Sequence, residues 1–267
     1  MSEAQALYVR DGDAFVGTVC TKGAWHANGQ SGGAVLALLG HVLEDVPSIV
    51  PMSLSRLSVD IIRPVPVGEP LHIATRVLRE GKKIQLVEFV VSTGDGDHVM
   101  ARALRLRDLD ISGLDAMPES TSTADPGASI PPPEALAGIE HHPGVPEFLR
   151  IGAELRRTLE PIDGVHGAWV RFRVPVVAGE EIRSTSRATL PMDCVNLLGV
   201  GRRAFRASAI NADVSAHIFR HPEGEWVALT GNTWFASSVG HGVSAATMSD
   251  ALGVFGVTST SQIIQPA

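Results

Sequence analysis

"SVDIIRPVPVGEP", Ser58–Pro70, and "SAHIFRHPEGEW", Ser215–Trp226, are two versions of one sentence. Each runs serine, any residue, a polar residue, isoleucine, an apolar residue and arginine, then proline and Gly-Glu. Self-similarity at a long, fixed interval marks a repeated structural unit, so the chain is expected to hold two copies of one module. In the first copy Leu57, Val59 and Ile61 alternate with Ser58 and Asp60, the period-2 pattern of a strand buried on one face. Asp60 and His217 share one position of the repeat and resemble a dyad on paper, but the alternation turns both outward.

The surroundings repeat as well. "GGAVLALLGHVL", Gly32–Leu43, is apolar on nearly every side, which predicts a buried helix led by two glycines. "LSVDII", "LHIATRVL", "IQLVEFVVS" and "VMARALRLR" follow as strands, with "GDGD", Gly94–Asp97, as a tight hairpin turn. In the second half "GAWVRFRV", Gly167–Val174, predicts a strand and "PMDCVNLLGVGRRA", Pro191–Ala204, a short helix. Strands from "DVSAHIF" to "VFGVTSTSQII" complete it. The expected class is α+β, with a helix followed by an antiparallel meander in each half. Between the halves periodicity vanishes and Pro131, Pro132 and Pro133 stand in a row. The expected division is 1–107 for the first module, 108–146 for a Pro-rich linker and 147–267 for the second module.

Composition narrows the function. The chain has 267 residues and a net charge of −7, which argues against nucleic acid, because phosphate binding needs a basic face. No apolar run reaches the roughly 18 residues of a membrane span. The first residues lack the basic-then-apolar pattern of a secretory signal. Only Cys20 and Cys194 occur, so a disulfide framework is not expected and a reducing cytoplasm is. "HHP", His141–Pro143, has no further ligands at metal spacing, and Gly199-x-Gly201 has neither a preceding strand nor a third glycine. Neither a metal nor a cofactor is expected.

The segments "GGAVLALL", "RPVPVGEPLHIATRVLREGKKIQLVEF", "AWVRFRVP", "MDCVNLLG" and "STSQII" together resemble the acyl-CoA thioesterase II family. The resemblance covers most of the chain outside the linker. It implies a double hotdog, two modules each with a long apolar helix wrapped by an antiparallel sheet, and association into homo-oligomers. It further implies an acyl-CoA substrate and a catalytic set of Asp, Thr and Gln that holds an attacking water. Asp193 matches the Asp and Gln262 the Gln; the Thr position falls on Asn211, a departure from the pattern. Thioester hydrolysis needs such a water and a donor for the developing oxyanion. Gly32 and Gly33 would lead a helix whose free N–H groups could serve as that donor, and His26 precedes them as a pocket-lining candidate.

Plainer readings stand beside these. Asp193 could cap a short helix. Gln262 could be a surface strand residue, Asn211 and Asp213 turn residues, His26 a loop residue, and Cys194 a small buried side chain. Two other functions compete. One is a non-catalytic acyl-CoA or acyl-lipid binding protein, which Asn211 keeps open. The other is a hotdog enoyl-CoA hydratase, which would need a histidine that "PMDCVNLLG" lacks.

Overall fold

The computed structural model describes residues 5–111, 113, 130–198 and 207–266. Residues 112 and 114–129 of the expected linker and the Gly199–Ala204 end of the expected second helix lie outside the described residues.

The first half comprises β1 (Tyr8–Asp11), β2 (Ala14–Gly17), α1 (Gly32–Asp45), β3 (Met52–Ile61), β4 (Pro70–Arg79), β5 (Ile84–Thr93) and β6 (Gly96–Arg107). The second comprises β7 (Ala153–Arg157), β8 (His166–Phe172), α2 (Ser184–Thr189), β9 (Ala207–Asn211), β10 (Asp213–Ile218), β11 (Val227–Ala236), β12 (His241–Asp250) and β13 (Gly253–Pro266). All strands join one antiparallel sheet in the order β1-β2-β4-β5-β6-β3-β10-β13-β12-β11-β8-β7, with β9 also paired to β13. Outward from the middle, β3-β6-β5-β4-β2-β1 and β10-β13-β12-β11-β8-β7 are the same path taken twice.

The middle pair is the repeated sentence itself. Ser58 opposes Ser215, Val59 opposes Val214 and Asp60 opposes Asp213. Ser58 and Ser215 are the equivalent serines of the repeat, and a ladder that opposes equivalent residues is what a twofold axis produces. Leu57, Val59, Val214 and Ala216 are all buried, so the seam is also part of the core. Asp60 and His217 are exposed and face different partners, Asp213 and Arg56, so they form no dyad.

Helix α1 is buried from Gly33 to His41, as its all-round apolar sequence requires. Among the described residues the second long apolar helix expected from the resemblance is absent. In its place the six-residue α2 runs into a tight 3-10 segment, Leu190–Leu197. Pro191 stands at that junction, with no N–H to donate and a ring that clashes with the carbonyl four residues back, so the α-helix cannot continue. The two helical pieces lie close. A Cβ on Gly40 would be 2.5 Å from Thr189 Oγ1 and 3.0 Å from the Thr185 carbonyl oxygen. Thr185 N–H donates to Glu44 Oε1 at 2.9 Å, so the N-terminus of α2 is capped by a carboxylate from the end of α1.

Residues 130–149 do not hang free. Ile130, Ile139, Phe148 and Leu149 are buried, and Ile139 N–H donates to the Leu155 carbonyl. At the other end, Leu7 and Tyr8 donate their N–H groups to the carbonyls of Pro175 and Val176, tying the first strand to the second half.

Because Gly40 sits where α1 and α2 nearly touch, Gly40→Val should overpack the contact and lower the unfolding free energy by about 1–3 kcal/mol. Urea denaturation should show a lower midpoint with an unchanged slope.

Candidate active site

A cavity of about 850 Å³ opens beside the start of α1. Most of its wall is apolar, with Val35, Leu36, Val59, Ile139, Phe148 and Leu149 among the lining residues. That volume falls within the usual range for small-molecule sites, roughly 300–1,000 Å³. Three polar elements converge on one side of it: Gly32 at the helix start, Asp193 on the 3-10 segment and Asn211 at the end of β9.

Asp193 is held through both carboxylate oxygens. Gly33 N–H donates to Oδ2 at 2.9 Å, and Asn211 Nδ2 donates to Oδ1 at 2.7 Å. The same amide nitrogen donates to the Asp193 carbonyl at 3.0 Å. Ser31, the N-cap of α1, makes no side-chain cap of its own, so a carboxylate from the other half takes that place. Burial pushes the Asp193 carboxyl above the ordinary aspartate range, opposed by the Asn211 amide and the Gly33 N–H, which both favour the ionised form. A carboxylate has about four lone-pair sites, so two remain for a water or substrate.

Gln262 faces Asn211 directly in the β9–β13 ladder. Its Nε2 donates to Asn211 Oδ1 at 3.3 Å and to Ser244 Oγ at 2.9 Å. Ser244 lies 2.7 Å from Thr233 Oγ1, whose proton goes to the Leu198 carbonyl, so Ser244 donates to Thr233. Gln262 is therefore a buried residue behind Asn211, outside the cavity wall, and it fixes which way the Asn211 amide points.

The remaining sequence candidates divide. Gly32 lines the cavity, and a Cβ there would come within 2.5 Å of Asp193 Oδ1, so only glycine leaves room for the carboxylate. Gly33 is not in the wall, and its N–H is committed to Asp193. Among the described residues the Gly32 N–H has no acceptor, and Gly32 itself lines the cavity. His26 lies in an exposed loop at the rim, without a bond to Asp193. Cys194 is buried, and burial pushes its thiol far up, so it is no nucleophile. Asp213 accepts from Ser261 N–H at 2.6 Å and braces β13 beside Gln262.

Sequence reasoning missed five contributors. Ile139, Phe148 and Leu149 belong to or follow the stretch read as linker, and only their apolar character signals the wall they form. Asn196 and Arg157 also line the cavity; Asn196 lies within "MDCVNLLG", where the resemblance gives it no role, and no motif marks Arg157.

The family models for the acyl-CoA thioesterase N-terminal and C-terminal domains match residues 21–106 and 122–263. No curated protein matches the chain. Three solved structures show the same fold. A proposed thioesterase of Novosphingobium aromaticivorans is 19% identical with a TM-score of 0.72, covering 98% of this chain and 100% of its own. A hot dog protein of unknown function from Alicyclobacillus acidocaldarius is 14% identical at 0.71, covering 99% and 97%. An acyl-CoA thioesterase II of Mycobacterium marinum is 14% identical at 0.66, covering 93% and 96%. With both domain models matched in order along a duplicated sheet, the chain belongs to the acyl-CoA thioesterase family.

Proposed function

We propose that the protein hydrolyses an acyl-CoA thioester to the free acid and CoA, with Asp193 as the general base. The observation that carries this reading is a carboxylate fixed by two N–H donors in the wall of an apolar cavity. The apolar wall suits an acyl chain, and the raised proton affinity of Asp193 makes it a stronger base than a solvated aspartate. Asp193 takes a proton from a water, whose oxygen bonds to the thioester carbon. The carbonyl oxygen becomes an oxyanion beside the Gly32 N–H. When the carbon–sulfur bond breaks, the electron pair leaves on the CoA sulfur, and Asp193 returns the proton to it. Asn211 orients the carboxylate, and Gln262 orients Asn211. The partners of Asp193 are Gly33 and Asn211, with no imidazole among them, which disfavours the hydratase alternative.

Thiol release from acyl-CoAs of graded length tests the proposal. Asp193→Asn should lose about 10²–10⁴ in rate, the usual worth of a positioned general base. Undiminished hydrolysis in that variant would remove Asp193 from the mechanism. Binding without turnover by the wild-type protein would favour the acyl-binding alternative.

Only the ionised carboxylate can act as base, so kcat/KM should rise with pH through an acid limb above the ordinary aspartate value of about 3.9. In Asn211→Ala that limb should move to higher pH, because the lost amide favours the ionised form. A pH–rate profile of both proteins gives the answer, and a limb moving the other way would contradict the assigned role.

Gly32→Ala should displace the carboxylate and abolish most turnover while α1 persists. Parallel activity and circular dichroism measurements check both halves of that statement.

A further inference from the structure

We infer that Arg157, with Asn196 beside it, recognises an anionic oxygen group on the substrate, and that the carboxylate of a short dicarboxylyl chain is the group whose reach fits. The inference rests on Asp193 marking the reacting carbonyl. Arg157 ends β7 on the face of Ala153 and Leu155, both fully buried, so the alternation of the strand turns its guanidinium inward to the cavity. Its Nη1 donates to the Leu197 carbonyl at 3.1 Å, while its Nε is buried and finds no acceptor. Among the described residues no carboxylate pairs with it. The nearby Arg156 and Arg171 both bind Glu154 on the opposite face of the strand. Burial lowers the Arg157 pKa with no acid to offset it. A desolvated cation without a partner is costly, and a ligand anion would satisfy it.

Asn196 supplies an independent pointer. It is buried, lines the cavity and makes no side-chain hydrogen bond among the described residues. In a 3-10 segment side chains three apart eclipse, so Asn196 lies directly along from Asp193. Asp193, Asn196 and Arg157 thus make a polar row in an apolar wall. Four residues at about 2 Å each put the Leu197 carbonyl roughly 8 Å from Asp193. An extended chain advances about 1.2 Å per bond, so an acyl group of about six carbons spans that distance. The nearest CoA phosphate lies about thirteen bonds beyond the sulfur, roughly 15 Å when extended.

An inward charge on an edge strand also discourages edge-to-edge pairing, a purely structural role that would treat all substrates alike. The test therefore reads ratios. The kcat/KM of adipoyl-CoA, hexanoyl-CoA and hexanoyl-pantetheine is measured for wild type, Arg157→Gln and Arg157→Lys. Dissociation constants for both CoA thioesters are measured by calorimetry in Asp193→Asn, with and without Arg157→Gln. Arg157→Gln keeps a donor for Leu197, and thermal melts check each fold. The adipoyl-to-hexanoyl ratio should fall about 10–100-fold in Arg157→Gln, the worth of a charged hydrogen bond, and recover in part in Arg157→Lys. Losses on both CoA thioesters that spare the pantetheine thioester would sustain anion recognition and place the anion on CoA. Equal losses on all three substrates, or none, would overturn the inference. An intact binding preference in a protein that hydrolyses nothing would sink the hydrolytic reading and leave the recognition standing.

Discussion

The pairing of β3 with β10 fixes everything else. Two copies of one strand meet residue against equivalent residue, Ser58 on Ser215, and the sheet extends from that line in two matching directions. The pairing also brings the helical pieces of the two halves together in opposite senses. Each then meets a carboxylate of the other: the second residue of α1, Gly33, donates to Asp193, and the second residue of α2, Thr185, donates to Glu44. Orphan amides at a helix start need acceptors, and here they come from across the seam. The candidate site cannot belong to one half alone, since its helix start is in the first and its carboxylate in the second.

Asn211 shows how a departure from a family pattern can be accommodated. Its Nδ2 serves both the side chain and the carbonyl of Asp193, and its Oδ1 accepts from Gln262. A threonine hydroxyl has one proton and could not make both donations. The amide therefore locks the aspartate more firmly, at the cost of a rotatable hydroxyl beside it. The buried chain from Gln262 to Ser244 to Thr233 holds the amide in that orientation.

Much of this was legible in the sequence. The repeat disclosed the duplication, because the seam strand must suit a copy of itself. The all-round apolar run of Gly32–Leu43 disclosed α1. The second long helix came from the resemblance alone, since the residues themselves offered only a short helix from Pro191, where the chain forms a 3-10 segment instead. The contribution of residues 139–149 to the cavity was invisible because an irregular proline-rich stretch has no period to read, and its packing is settled by neighbours distant in sequence. The place of Gln262 behind Asn211 depends on the register of β9 against β13, which no single strand reveals. Arg157 escaped notice for a related reason: its inward orientation is meaningful only once β7 is known to border a cavity.

The twofold relation also says what became of the site's counterpart. Ser259 opposes Ser215 as Arg102 opposes Ser58, so Gln262 corresponds to Arg105 and, across the helices, Asp193 corresponds to Glu44. Arg105 is buried there, and its guanidinium donates to the carbonyls of Val46 and Met52 and to Gln85 Oε1. The counterpart is filled by its own side chain. Among the described residues, the duplicated architecture thus keeps one of its two equivalent places for a ligand. Saturation of a single chain should follow a simple hyperbola, and any sigmoidal response would have to originate in communication between separate chains.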